Sequence, residues 1–196
     1  MTTACSRRLT RSVVGLARRH LFSAAALILV AVLLLGVLPS KAQSHSELTV
    51  KAAYVFNLTK YVEWPASGDR VVIGVVGNGP MVDSLRELSG KVSDSKEIVI
   101  ITEPSDSDLK RCALVYVTYS SGKKIEELLA KLNGRSILTV GDAASFSRLG
   151  GMLTLLTVGD HIEMEVNLQA CRQANLKISS KLLNLAKIVA TNGGVG

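Results

Sequence analysis

Two continuous, largely apolar runs, at residues 71–76 and 113–118, constrain the fold of this 196-residue chain more than any other feature. Strands without a polar side are typical of parallel sheets, because helices cover both faces of such a sheet. After each run, predicted helices and strands follow one another along the chain. In order, the patterns are a strand at 71–76, a helix at 81–88, strands at 97–101 and 113–118, a helix at 122–132 and a strand at 136–140. Such repeats are joined by right-handed crossovers into parallel strands.

The C-terminal quarter, residues 150–189, carries a different pattern. Residues 152–158 form an apolar run, and Gly159-Asp160 separates it from an alternating segment, which is the signature of a β-hairpin. One side of the second strand would carry Ile162, Met164, Val166 and Leu168, and the other His161, Glu163, Glu165 and Asn167. We expect the polar side to meet solvent or a partner, because unpaired glutamates are costly to bury. A last helix is predicted from Ser179-Ser180 to Val189.

Together these patterns predict an α/β fold. We expect a single domain over residues 43–190, with a mixed, mostly parallel sheet, helices on both faces, and a C-terminal antiparallel hairpin followed by helices. A helix over about residues 46–63 opens the domain and ends at Trp64-Pro65, because proline disfavours helical geometry in the residue before it. Trp64 is interpreted as a packed helix terminus. Residues 191–196 are predicted to be a frayed tail.

The first 42 residues have the pattern of a signal peptide. Five arginines and no acidic residue occupy positions 1–20, an uncharged stretch fills 21–40, and Ser40-Lys41-Ala42 provides a small-x-small exit. The apolar stretch is also long enough for an uncleaved membrane anchor, which is the alternative. Cleavage after Ala42 would remove six of 23 basic residues and leave 17 against 16 acidic ones, a net charge of +1. The basic composition therefore gives no support for nucleic-acid binding.

The sequence does not support an enzyme, a metal site or a cofactor. His161 is the one histidine inside the predicted elements, no nucleophile motif accompanies it, and Glu163 is two residues away along a strand. One histidine and two separated cysteines make no structural zinc site. The acidic residues Glu103, Asp106 and Asp108 lack the glycine and terminal glutamate of an EF-hand loop.

Cys112 and Cys171 remain after removal of the signal peptide. In an exported protein they either form a disulfide or lie as buried thiols, and spacing does not decide between the two.

Several stretches resemble the YfiR family of periplasmic proteins. They are KAAYVFNLTKYVEWP (51–65), RCALVYV (111–117), ILTVGD (137–142) and GGML…NLQACRQANLKISSKLLNLA (150–186), in the family's order. The resemblance implies a periplasmic inhibitor that binds the periplasmic sensor region of an inner-membrane diguanylate cyclase, and so lowers cyclic di-GMP and biofilm formation. It also implies a small α/β domain that can form a homodimer and that disulfides support in relatives. Cys112 matches the family's cysteine ahead of its strand, whereas residues 71–76 contain no partner cysteine.

We expect a partner-binding surface on the C-terminal quarter and the loop before it. Glu163 and Glu165 would supply charge, and Phe146 and Leu149 an apolar anchor. The alternative for Phe146 and Leu149 is that they cap the core beneath the hairpin. A second functional hypothesis is a small-ligand sensor or carrier that binds near residues 77–80, at the carboxyl end of a strand.

Overall fold

The computed structural model describes residues 41–65 and 68–190. The helices are α1 (Lys41–Tyr61), α2 (Pro80–Arg86), α3 (Asp106–Leu109), α4 (Gly122–Leu132), α5 (Leu168–Gln173) and α6 (Ser180–Leu183). The strands are β1 (Val62–Glu63), β2 (Arg70–Val76), β3 (Val92–Ser93), β4 (Lys96–Thr102), β5 (Leu114–Val117), β6 (Leu138–Gly141), β7 (Leu153–Val158), β8 (His161–Asn167), β9 (Lys177–Ile178) and β10 (Lys187–Val189). Residues 1–40 of the predicted signal segment and residues 191–196, the predicted tail, lie outside the described residues.

Eight strands form one sheet in the order β10-β8-β7-β6-β5-β2-β4-β3. The strands β2, β4, β5, β6 and β7 are parallel, and β8 is antiparallel to β7. This arrangement confirms the predicted α/β class with a mostly parallel sheet and a C-terminal hairpin. A second, two-stranded sheet pairs β1 with β9, so that Val62 lies opposite Ile178.

The central strands send alternate side chains to two clusters, one on each face of the sheet. In β5, Leu114 and Tyr116 join the cluster that contains α1, and Val115 and Val117 join the cluster that contains α4. All four side chains are fully buried. This explains why the strand has no polar side: both of its faces are covered by helices.

The two long helices present apolar residues three or four positions apart. In α4 the buried residues are Ile125, Leu128 and Leu132, and the helix has the predicted bounds. In α1, Val55 and Leu58 are fully buried. Helical side chains at this spacing lie on one face, so each helix buries one stripe against the sheet.

The buried ammonium of Lys51 connects α1 to the carboxyl end of β6 through two partly exposed carboxylates. The Lys51 ammonium lies 2.8 Å from Glu47 Oε1 and 3.8 Å from Asp142 Oδ2, just beyond β6. The hydrogen bonds that Lys51 and Thr157 donate to the Glu47 carboxylate hold its pKa below the ordinary value. Because the Lys51 side chain is only 7% exposed, its charge depends on these carboxylates for compensation.

The predicted final helix is wrong in extent. Helix α6 ends at Leu183, and residues 187–189 form β10, which pairs with β8 in parallel. The apolar spacing that suggested a longer helix included Leu185, which is 75% exposed. The open edge of β8 offers unpaired backbone groups, and the β-branched pair Ile188-Val189 satisfies them by adding a strand.

Asn167 also departs from its predicted place on a solvent-facing side of β8. Its side chain is fully buried, where it donates to the Ser147 carbonyl (3.0 Å) and accepts from the Ala170 N–H (3.1 Å). It therefore caps the first turn of α5, which is a common role for asparagine at the start of a helix.

Candidate partner-binding surface

The four residues predicted to bind a partner lie on or under one face of the sheet. Glu165 is opposite Thr154 in the hairpin register, and the Thr154 hydroxyl is hydrogen-bonded to Ser147 in the loop that carries Phe146 and Leu149. The structure thus brings the predicted loop and the predicted strand together. The four side chains differ in solvent exposure, and this decides which of them can contact a partner.

Glu163 is the accessible carboxylate of the group, with 46% of its side chain exposed. His161 Nε2 lies 3.5 Å from Glu163 Oε1, so the two approach each other more closely than strand spacing alone suggests. Both side chains are open to solvent, and no nucleophile motif accompanies them. An exposed pair of this kind contributes charge to the surface rather than a shielded acid–base dyad.

Glu165 is mostly covered. Its side chain is 15% exposed and lies 3.8 Å from the ammonium of Lys187 on the neighbouring strand β10. This neighbour is not predictable from local patterns, because residues 187–189 have the apolar spacing of a helix and form a strand only beside β8. The negative charge of this face therefore belongs mainly to Glu163.

Phe146 is fully buried, as the core alternative predicts, and Leu149 is half-buried against the same cluster. The Phe146 ring fills space that two glycines leave open. A Cβ placed on Gly141 would lie 2.7 Å from the ring, and one placed on Gly151 would collide with it. The ring offers no area to a partner in this conformation, and Leu149 offers some.

The outer edge of the sheet exposes two apolar residues that the sequence patterns do not predict to be exposed. Leu185 is 75% exposed and Ile188 is 57% exposed. Strand β10 pairs with β8 on one side and with no other described strand. We call Glu163, Leu185 and Ile188, together with β10, the C-terminal edge.

Cys112 and Cys171 are free, buried thiols that belong to clusters on opposite faces of the sheet. Burial raises the pKa of each to about 11, and the nearby Asp108 carboxylate adds to the effect at Cys112. A thiol with such a pKa is protonated at neutral pH and is a poor nucleophile. Of the two alternatives for these cysteines, a disulfide or buried thiols, the structure shows buried thiols.

The glycine turn after β2 was the predicted place for a small ligand. The Gly77 N–H, which could bind an anion, already donates to the Glu103 carboxylate at 2.8 Å. Thr118 Oγ1 donates to the Asn78 carbonyl at 3.0 Å and closes the turn from the other side. Glu103 both occupies the donor and repels anions, so the geometry weighs against a phosphate at residues 77–80.

Acidic residues elsewhere act in the fold. Asp108 accepts hydrogen bonds from Ser105 in a capping box at the start of α3, and these bonds lower the pKa of its carboxyl group. Within the part of the chain that the structure describes, no three histidine, cysteine or acidic side chains are grouped as metal ligands. The helices of that same part include none with the length and apolar character needed to cross a bilayer.

The doubly covered, mostly parallel sheet with an antiparallel hairpin defines a small mixed α/β domain. The chain belongs to the YfiR/HmsC-like family, whose sequence profile matches residues 48–187. This match confirms the resemblance found in the sequence, and it spans the fold from α1 to the start of β10. The family is one of regulatory, non-catalytic periplasmic proteins.

Proposed function

We propose that this protein binds the periplasmic sensor region of an inner-membrane diguanylate cyclase and holds the enzyme inactive. The observation that carries the proposal is the family match over residues 48–187, which covers nearly all of the described fold. Inhibition of this cyclase lowers cyclic di-GMP and biofilm formation. The protein acts by binding and uses no cofactor.

The C-terminal edge is the surface we assign to the partner. Exposed apolar side chains beside an open strand favour a protein contact, because a partner can bury the side chains and pair with the strand. Glu163 provides charge beside this edge, and the exposed part of Leu149 lies on the same face of the sheet as Glu163. Phe146 supports this surface from within the core, and Glu165 supports it through Lys187.

The test is capture of the partner by the full chain with a C-terminal tag, from detergent-solubilised membranes of its host. We expect mass spectrometry to find a membrane protein with a diguanylate cyclase domain. Ile188→Asp and Glu163→Lys should each reduce its recovery, whereas Glu126→Lys, an exposed charge reversal on α4, should not. Equal recovery with all three variants would remove the C-terminal edge from the proposal.

The inhibitory function has a separate test in cells. Deletion of the gene should raise cyclic di-GMP in a strain that contains the captured cyclase and leave it unchanged in a strain that lacks the cyclase. An unchanged level in both strains would contradict inhibition.

A second copy of the chain is the competing occupant of the C-terminal edge. Sedimentation tests this alternative: if the edge forms a homodimer, the wild type sediments as a dimer and Ile188→Asp as a monomer.

A further inference from the structure

The amino edge of the sheet contains a cavity of about 620 Å³. Its walls include Val71 and Val72 at the start of β2, Ala113 just before β5, and Ile137 just before β6. The volume is within the range of about 300 to 1,000 Å³ that is usual for small-molecule sites. The cavity shares no residue with the C-terminal edge, and it lies at the opposite ends of the strands from the Gly77 turn.

The charge of the lining is of one sign. Among the described residues, the lining contains no acidic side chain and five basic ones, which are Arg70, Lys96, Lys110, Arg111 and Arg135. Side chains of like charge repel one another, and a bound anion relieves this repulsion. Such an arrangement also raises the local concentration of anionic ligands.

Nearby acids compensate only part of this charge. Arg70 Nε lies 3.1 Å from Glu97 Oε2, and Arg111 Nη2 lies 3.0 Å from Asp108 Oδ1. Lys96 also has an interaction partner.

The other two cations, Lys110 and Arg135, have no acidic partner in the described part of the chain. Among residues 41–65 and 68–190, no carboxylate lies within ion-pair distance of Lys110 or Arg135. Two uncompensated positive charges at one cavity match a ligand with a charge near −2. A guanidinium can bind a carboxylate or a phosphate through two parallel hydrogen bonds, and an ammonium can add a third.

Apart from Ser136, the remaining wall is mostly apolar, and it includes an aromatic ring. Trp64 lines the cavity, and its indole Nε1 donates to the Ala113 carbonyl at 2.8 Å. This bond fixes the ring and uses its only donor. What Trp64 offers a ligand is therefore a fixed apolar surface, which suits a planar group.

We propose that this cavity binds a small organic dianion that carries an aromatic ring. Carboxylate or phosphate oxygens of the ligand bind Lys110 and Arg135, and its ring packs against Trp64. The proposal does not depend on the cyclase or on the inhibitory function.

Calorimetric titration of the purified full chain tests the ligand class with four probes. Phthalate and phenyl phosphate carry a ring and a charge near −2, inorganic phosphate lacks the ring, and benzyl alcohol lacks the charge. We expect at least one of the first two to bind ten-fold or more tightly than either of the others, with an affinity that falls as salt is added. Two results would overturn the proposal. One is that inorganic phosphate binds as tightly as the aromatic dianions. The other is that neither aromatic dianion binds at ~10 mM, which excludes Kd values in the millimolar range.

Trp64 is the chain's single tryptophan, so its fluorescence reports on this cavity directly. The bound aromatic dianion should change the emission of Trp64, with the same midpoint as the calorimetric titration. Heat of binding without any change in emission would place the ligand elsewhere and contradict the proposal.

A matched pair of variants tests the cations. Lys110→Gln/Arg135→Gln should weaken binding of the dianion at least ten-fold, because each removes a charge-assisted hydrogen bond. Lys123→Gln/Arg172→Gln removes the same two charges from exposed helical positions outside the cavity and should leave the affinity unchanged. Equal loss in both double variants would show attraction by net charge alone and would overturn the assigned site.

Discussion

Gly74→Cys is expected to create a disulfide with Cys112. A Cβ placed on Gly74 would lie 2.9 Å from Cys112 Sγ. Within a disulfide, each Cβ lies about 3 Å from the far sulfur, given an S–S bond of about 2.04 Å. This Cβ–Sγ distance matches that of a bridge, and Gly74 lies on the strand next to the one that Cys112 precedes.

The magnitude follows from the loop that the bridge would close. A disulfide between residues 74 and 112 encloses about 39 residues, for which the chain-entropy relation gives about 4 kcal/mol. The same Cβ would lie 3.2 Å from Pro104 Cγ, a tight contact that offsets part of the gain. We expect a net increase of roughly 2 to 3 kcal/mol in the free energy of unfolding, and a Tm higher by about 5 to 10 °C.

Peptide mapping under non-reducing conditions identifies the bridge, and thermal unfolding with and without reductant measures its effect. Gly74→Ala is the matched control, because it adds the Cβ without the sulfur and should be destabilised by its contacts with Cys112 and Pro104. A folded, oxidised Gly74→Cys protein that retains both free thiols would refute the geometric argument. A bridge that forms without raising Tm would refute the energetic one.

Three further predictions test the core and its charges. Leu182→Ala should lower the free energy of unfolding by about 2 to 4 kcal/mol in chemical denaturation, because Leu182 is 4% exposed, whereas Leu185→Ala should change it little. Lys51→Met should cost roughly 1 to 3 kcal/mol at neutral pH, because two carboxylates lose their cation. Because the pKa of Glu47 is lowered in the folded state, this carboxylate stabilises the fold above its unfolded pKa and loses that contribution as pH falls. The loss of stability in Lys51→Met should therefore shrink as pH falls, and a constant loss would contradict the coupling. The raised pKa values of Cys112 and Cys171 stabilise the fold below about 9 and lose that contribution up to about 11, so replacing both by alanine should flatten the alkaline loss of stability between these values in a pH series.

The sequence predicts elements whose signal is local. Helix α4 has its predicted bounds because Ile125, Leu128 and Leu132 repeat at helical spacing and a glycine with φ of +75° follows at residue 134. The hairpin of β7 and β8 is equally local, since a two-residue turn joins its strands.

Features that depend on distant neighbours could not be predicted in this way. Residues 187–189 form a strand because β8 leaves an open edge beside them, and no local pattern records that edge. Asn167 is buried because the Ser147 carbonyl lies above it. Of the predicted surface, the structure leaves Glu163 accessible and buries Phe146, because burial is decided by what packs on a residue rather than by its type.

The pairing of β1 with β9 has a consequence for the order in which the chain can mature. It places residues 62–63 against residues 177–178, and the Ser179 N–H donates to the Tyr61 carbonyl at 2.9 Å. A chain that emerges from the ribosome, or crosses a membrane, from its N-terminus presents the apolar stripe of α1 long before β9 exists to pair beside it. The incomplete chain therefore exposes this apolar surface until its last residues arrive, and during that time it is prone to aggregation.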